Sequence, residues 1–196
     1  QSLEGITKLT PLTEPLHLLL IQLLKTYFFT GGMPEAVYCW LKTENFSACS
    51  KIHHDLVAAY EQDFQKYAEK FQMKYLELLF TQIPRQLGNR FKYSNISQDY
   101  RKRELEPCLD LLIKAGIANK VFHSSGNGLP LGAEKNLERF KLIYLDIALA
   151  QTILGFNTSE WMLDWQNTFI NKGSIAEAFV GQEILAYSDS TRKHQL

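Results

Sequence analysis

With 196 residues, 45% of them apolar, the chain is long enough to bury one large core or two small ones. Lys and Arg total 21, as do Asp and Glu, so no global field draws the chain to DNA or to a membrane surface. Eleven Gly and six Pro are too few for a low-complexity or linker-dominated chain.

Cys39, Cys49 and Cys108 are odd in number and widely spaced, which fits neither a disulfide framework nor a zinc site. Free thiols buried in a reducing compartment are the expectation. The longest apolar stretch, Leu16 to Phe29, is broken by His17, Gln22 and Lys25 and is shorter than the roughly 20 residues a bilayer requires. No charged leader with a small-residue cleavage site precedes it. A soluble, cytoplasmic chain with no membrane partner is expected. The absence of an initiator Met and the final Ser190 to Leu196 stretch suggest a cut through a longer polypeptide.

In chain order, Leu16, Leu19, Leu20, Leu23 and Leu24 recur at helical spacing and should bury one stripe. Gly31 and Gly32 should stop that helix, both by taking conformations open to glycine. Pro34 suits the first turn of a new helix, where its missing N–H costs nothing. A long helix is predicted from Phe46 to Phe71, carried by Ile52, Leu56, Tyr60, Phe64, Tyr67 and Phe71. Another spans Met73 to Leu87, with Pro84 bending or ending its last turn.

Phe91 to Asn95 is short and aromatic, and Ser97 offers the start of a helix that closes at Gly116. Ile117 to Phe122 and Phe140 to Leu145 are β-prone and flank a turn-rich loop, which predicts a hairpin with a long tip. Further helices are predicted over Asp146 to Leu154, Ser159 to Trp165 and Ile175 to Ser188. Ser174 and Glu177 would form a capping box for the last of these. The fold class expected is mainly α, a helical bundle with a central winged-helix-like unit that bears a small β-hairpin. Its divisions fall at 1–45, 46–145 and 146–196.

Chemistry-bearing motifs are few. A phosphate loop needs G-x-x-x-x-G-K-[ST], and no Gly-Lys dipeptide occurs. Gly126-Asn-Gly-Leu-Pro-Leu-Gly132 is one residue too long for G-x-G-x-x-G and joins two strands, where a dinucleotide site needs a following helix. His53 and His54 are adjacent and so point about 100° apart on a helix, which prevents them from sharing a metal. No G-x-S-x-G elbow is present. Glu177 and Glu183 also point apart, which rules them out as a paired catalytic site. No catalytic residue, metal site or cofactor is therefore expected in this fragment.

One charge cluster remains. Arg85, Arg90, Lys92, Arg101, Lys102 and Arg103 face a single acid, Asp99, on the stretch entering the expected recognition helix. Lys92, Arg101, Lys102 and Arg103 are the candidate phosphate contacts if this unit reads DNA. The competing reading is a solvated face answered by Glu104 and Glu106, favoured by the balanced overall charge.

Seven blocks in order resemble a known family. They are Gly31-Gly32-Met33-Pro34-Glu35-Ala36-Val37, then Asp55, Tyr60, Asp63, Lys66 and Tyr67, then Phe91-Lys92-Tyr93-Ser94 and Leu112 to Ile117. Pro130-Leu131, Phe140-Lys141-Leu-Ile-Tyr144-Leu145-Asp146 and Glu177-Ala-Phe179-Val180-Gly-Gln182-Glu183 complete the series. Together they resemble the bacterial and archaeal AAA-type P-loop ATPases that carry a C-terminal domain of unknown function. The resemblance implies an ATPase module upstream of the Gly31 block, with ATP and Mg bound there and not in this fragment. It also implies a restriction-nuclease-like domain beyond the last helix, in which Glu177 matches the first acidic position. The expected role is a non-catalytic interaction or regulatory region, its partners its own ATPase module in cis and an unknown protein. A DNA-binding winged helix is the alternative.

Overall fold

The computed structural model describes residues 11–67, 70–125, 134–155 and 172–188, except the side chains of 65, 67, 70, 71 and 172. Seven α-helices and one hairpin make up the regular structure among the described residues. In order they are α1 (Glu14–Thr30), α2 (Pro34–Thr43), α3 (Phe46–Tyr67), α4 (Lys70–Gln82), α5 (Lys102–Lys114), β1 (Ala118–Ser124), β2 (Lys135–Tyr144), α6 (Ile147–Ile153) and α7 (Lys172–Tyr187). The mainly α class with a small hairpin is thus the observed one. No helix among the described residues is long and apolar enough to cross a membrane.

A single apolar core runs from the end of α1 to α7. Its centre is Leu79, Phe80 and Ile83, Leu105, Leu109 and Leu112 of α5, and Leu149 of α6, all essentially without solvent contact. The inner face of the hairpin closes it, with Phe140, Leu142 and Tyr144 alternating inward from β2 as a strand's two-residue period demands. The Tyr144 hydroxyl donates to the Phe80 carbonyl, so even this deep polar atom has a partner.

Several sequence expectations shift. The leucine stripe on α1 is largely not buried: Leu16, Leu19, Leu20 and Leu23, like Leu12 and Leu18 beside them, are each 43–59% exposed, whereas Leu24 and Tyr27 pack against the core and Phe28 to Thr30 enter it. Periodicity marks an apolar face but does not say what covers it. The expected long helix to Phe71 is described as α3 up to Tyr67, and α4 is described from Lys70; 68–69 lie outside the described residues. Pro84 does end its helix, within a 3-10 turn, Ile83–Gln86. The helix expected from Ser97 begins only at Lys102, because Ser97 Oγ accepts from the Asp99 N–H at 3.0 Å and makes a turn. Arg101 is the residue before α5, and its N–H is held by Glu104 Oε2 at 2.8 Å.

Strand β2 starts earlier than expected, at Lys135, and carries a bulge. Phe122 pairs with Phe140 but His123 pairs with Asn136, so Leu137, Glu138 and Arg139 loop out of the ladder. Helix α7 starts at Lys172, so Ser174 and Glu177 lie inside it and form no capping box. The helix expected over Ser159 to Trp165 and the Gly126 to Gly132 loop lie outside the described residues.

Candidate interaction surface

The turn between α1 and α2 is a tightly constrained polar site. Gly31 ends α1 with φ +64°, and its N–H donates to the Tyr27 carbonyl at 2.7 Å. A Cβ added there would lie 2.5 Å from Asp146 Oδ1 and 2.9 Å from the Ala148 Cβ, so both conformation and space require glycine. Gly32 differs: it is not among the glycines with positive φ, and a Cβ there would meet the Tyr27 hydroxyl at 3.3 Å and Asp146 Oδ2 at an ordinary contact distance of 3.7 Å. Of the two glycines, only Gly31 is needed for its backbone conformation. Gly32 contributes its N–H, which donates to Asp146 Oδ2 at 2.7 Å.

Asp146 is buried and fully engaged. While Oδ2 holds Gly32, its Oδ1 accepts from the N–H groups of Ala148 at 2.8 Å and Leu149 at 3.0 Å, capping α6. One carboxylate therefore joins the start of α6 to a turn 114 residues earlier. Met33 and Pro34 complete the turn, Met33 preceding α2 and packing against the core, Pro34 opening the helix as expected. Glu35, next in the block, is exposed.

Other groups enclose this junction. His53 on α3 is buried, its Nε2 3.0 Å from the Thr30 carbonyl. Burial lowers its pKa, partly opposed by that hydrogen bond and by Asp146. Burial, then the charges of Asp146 and Glu183, push the Tyr27 phenol up to about 12. Gln151 of α6 donates to the Phe28 carbonyl. From α7, the Phe179 ring meets Tyr27 and Phe28 edge-on at 5.4 and 5.3 Å, and Gln182 Nε2 donates to the Leu145 carbonyl at 2.9 Å. Glu177 pairs with Lys141 of β2 across the same contact.

Five of the motif positions, Gly31, Gly32, Lys141, Asp146 and Glu177, therefore bind α1, β2, α6 and α7 into one frame. Asp63 and Lys66 stand apart, forming an exposed ion pair at 2.6 Å on α3. The side chain of Tyr67 is outside those described.

The basic stretch is answered differently from the expectation. Glu104 is spent on the Arg101 N–H and the Tyr75 hydroxyl, bonds that lower its pKa. Its place is taken by Glu138, in the β2 bulge, whose two oxygens lie 3.0 and 2.9 Å from Lys102 Nζ. Glu106 adds a longer contact to Lys102, at 3.6 Å. Arg90 donates to the Glu138 carbonyl. The Lys92 backbone is clamped at both ends by the Gln86 amide, while its side chain is exposed, as are those of Arg101 and Arg103. Glu138 escaped the sequence reading because it is 36 residues from Lys102, and only the hairpin brings the two together.

The open surface is α1 itself. Leu16, Leu19, Leu20 and Leu23 share one face at helical spacing, and Leu12 extends it from just before the helix. Thr13, His17, Gln22 and Thr26 flank this face, and the charged Glu14 and Lys25 fall on the opposite side of the helix.

A family model describing a domain of unknown function, DUF8612, matches residues 21–160. The chain belongs to this family. The DUF8612 span holds the Gly31 turn, His53, the basic stretch, the hairpin and Asp146. Most of the leucine face precedes it and the Glu177 helix follows it. No curated protein and no solved structure matches the chain. Among the described residues, no group of three His, Cys, Asp or Glu side chains is placed to hold a metal ion.

Proposed function

We propose that this chain is a non-catalytic interaction region that couples an ATP-binding module, upstream in the same polypeptide, to a target. The observation that carries the reading is the leucine face of α1, formed by a helix whose last turn is fixed in the core while its first turns project uncovered. The sequence resemblance to AAA-type ATPases would put such a module on that side. A partner packed on the leucines would act on a helix rigidly joined through Gly31 and Asp146 to α2 and α6. That junction transmits position without any chemistry of its own.

The alternative is a DNA-reading winged helix. In its favour, α4, the 3-10 turns at Ile83–Gln86 and Tyr93–Asn95, α5 and the hairpin follow one another in the right order, and the Phe91 N–H donates to the Phe140 carbonyl as a short third strand would. Against it, Lys102 is held by two acids, and the outer face of α5 is mixed, with Pro107, Asp110 and Leu111 beside Lys114. Nucleic-acid contact at physiological salt should then be weak, on the order of 100 μM.

The test begins with the coding sequence upstream, which should encode a P-loop motif. Calorimetric titration of this chain with that module should show saturable binding, lost when Leu16, Leu19 and Leu23 are all changed to Glu. An upstream region without a P-loop, unaltered binding by the triple variant, or self-association through these leucines would each overturn the reading. Sub-micromolar duplex binding abolished by changing Arg101, Lys102 and Arg103 to Glu would establish the alternative instead.

A further inference from the structure

We propose that Cys39 and Cys49 are a redox-sensitive pair that closes into a disulfide between α2 and α3 under a two-electron oxidant such as hydrogen peroxide. The two helices form a tight hairpin. Glu44, in the left-handed conformation at φ +46°, turns the chain between them. Ala36, fully buried, marks where they cross. Cys49 Sγ lies 3.6 Å from the Ala36 carbonyl. Cys39 sits three residues further along α2, on the same helical face as Ala36. Cys49 Sγ therefore lies within about one helical turn of Cys39, close enough for each thiol to feel the other's charge, and Cys39 Sγ lies 3.7 Å from Thr43 Oγ1.

Their exposure divides the work. Cys39 is partly exposed and can meet a small oxidant, whereas Cys49 has no solvent contact. The Cys39 thiolate attacks one peroxide oxygen, the O–O bond breaks, and water leaves to give a sulfenic acid. Cys49 sulfur then attacks the Cys39 sulfur, the S–O bond breaks, and a second water leaves as the S–S bond forms. Two thiols and one peroxide become one disulfide and two waters. Burial, with Cys39 next to it, pushes the Cys49 thiol up to about 11, so the closing step is slow at neutral pH. Its rate should rise by roughly tenfold per pH unit below that value, in step with the thiolate fraction. Cys108, buried elsewhere near the Gln72 carbonyl, is the internal control.

Trypsin separates the two thiols, because Lys25, Lys42 and Lys51 place Cys39 in residues 26–42 and Cys49 in residues 43–51. The folded chain treated with peroxide, alkylated and digested should yield these two peptides joined, with the loss of two hydrogens and recovery by a dithiol reductant. Cys108→Ser should behave identically, whereas Cys39→Ser and Cys39→Ala should each leave Cys49 as a free thiol. Recovery of all three cysteines unlinked, a linkage to Cys108, dimers joined between chains, or over-oxidation of Cys39 without linkage would overturn the proposal.

Discussion

The two ends of α1 are built by opposite rules. At its C-terminal end the polar groups of the turn are bonded within the chain, the Gly31 N–H to Tyr27, the Gly32 N–H to Asp146 and the Thr30 carbonyl to His53, and Gly31 leaves no room for a side chain. At its N-terminal end four leucines on one face remain 43–55% exposed. An open apolar face keeps in reserve the favourable burial that a partner would supply, whereas an unpaired buried N–H costs about 1–3 kcal/mol. One end is therefore fixed by folding and the other is available for association.

The largest expected effect breaks the fixed end. Asp146→Ala would strip acceptors from three N–H groups and the cap from α6, a loss of about 3 kcal/mol or more, measured as the denaturant midpoint. Retention of wild-type stability would show that the junction does not hold α1 in place. The two neighbouring glycines sharpen the point. Gly31→Ala should cost about 2 kcal/mol or more, through a forced positive φ and a collision with Asp146. Gly32→Ala should cost under about 1 kcal/mol, because the Tyr27 hydroxyl can yield. Equal costs would remove the distinction.

A smaller effect concerns pH. His53 has its pKa lowered by burial in the folded state, so the unfolded chain takes up its proton more readily. Its contribution to stability is complete above the unfolded value of about 6.5 and declines as pH falls below that toward the folded value. Denaturant midpoints measured from pH 7 to pH 5 should fall, and His53→Gln should flatten that decline. The smallest expected effect lies at the open end. Leu16→Glu and Leu19→Glu should change stability by less than about 0.5 kcal/mol, since neither leucine is buried. A loss of 2 kcal/mol would mean that this face belongs to the core.

Local chemistry made much of this legible from residues alone. Pro34 at a helix start, Pro84 at a helix end and the hairpin strands all follow from rules that act within a few residues. The Gly31 block and Asp146 were singled out by motif, but their mutual bond joins positions 114 residues apart, which no periodicity encodes. Glu177 shows the reverse case: its spacing from Ser174 suggested a cap, yet an extra turn at the start of α7 left it free to reach Lys141. The leucine stripe was recognised as apolar, and its exposure was missed because burial depends on what else the fold brings near.

The most direct measurement is hydrogen exchange along α1, comparing the amides of residues 14–23 with those of 24–30. In the isolated chain the first group should exchange much faster than the second, and adding the upstream module should slow the first group selectively. Equal protection of both groups in the isolated chain, or no change on adding the module, would contradict the account.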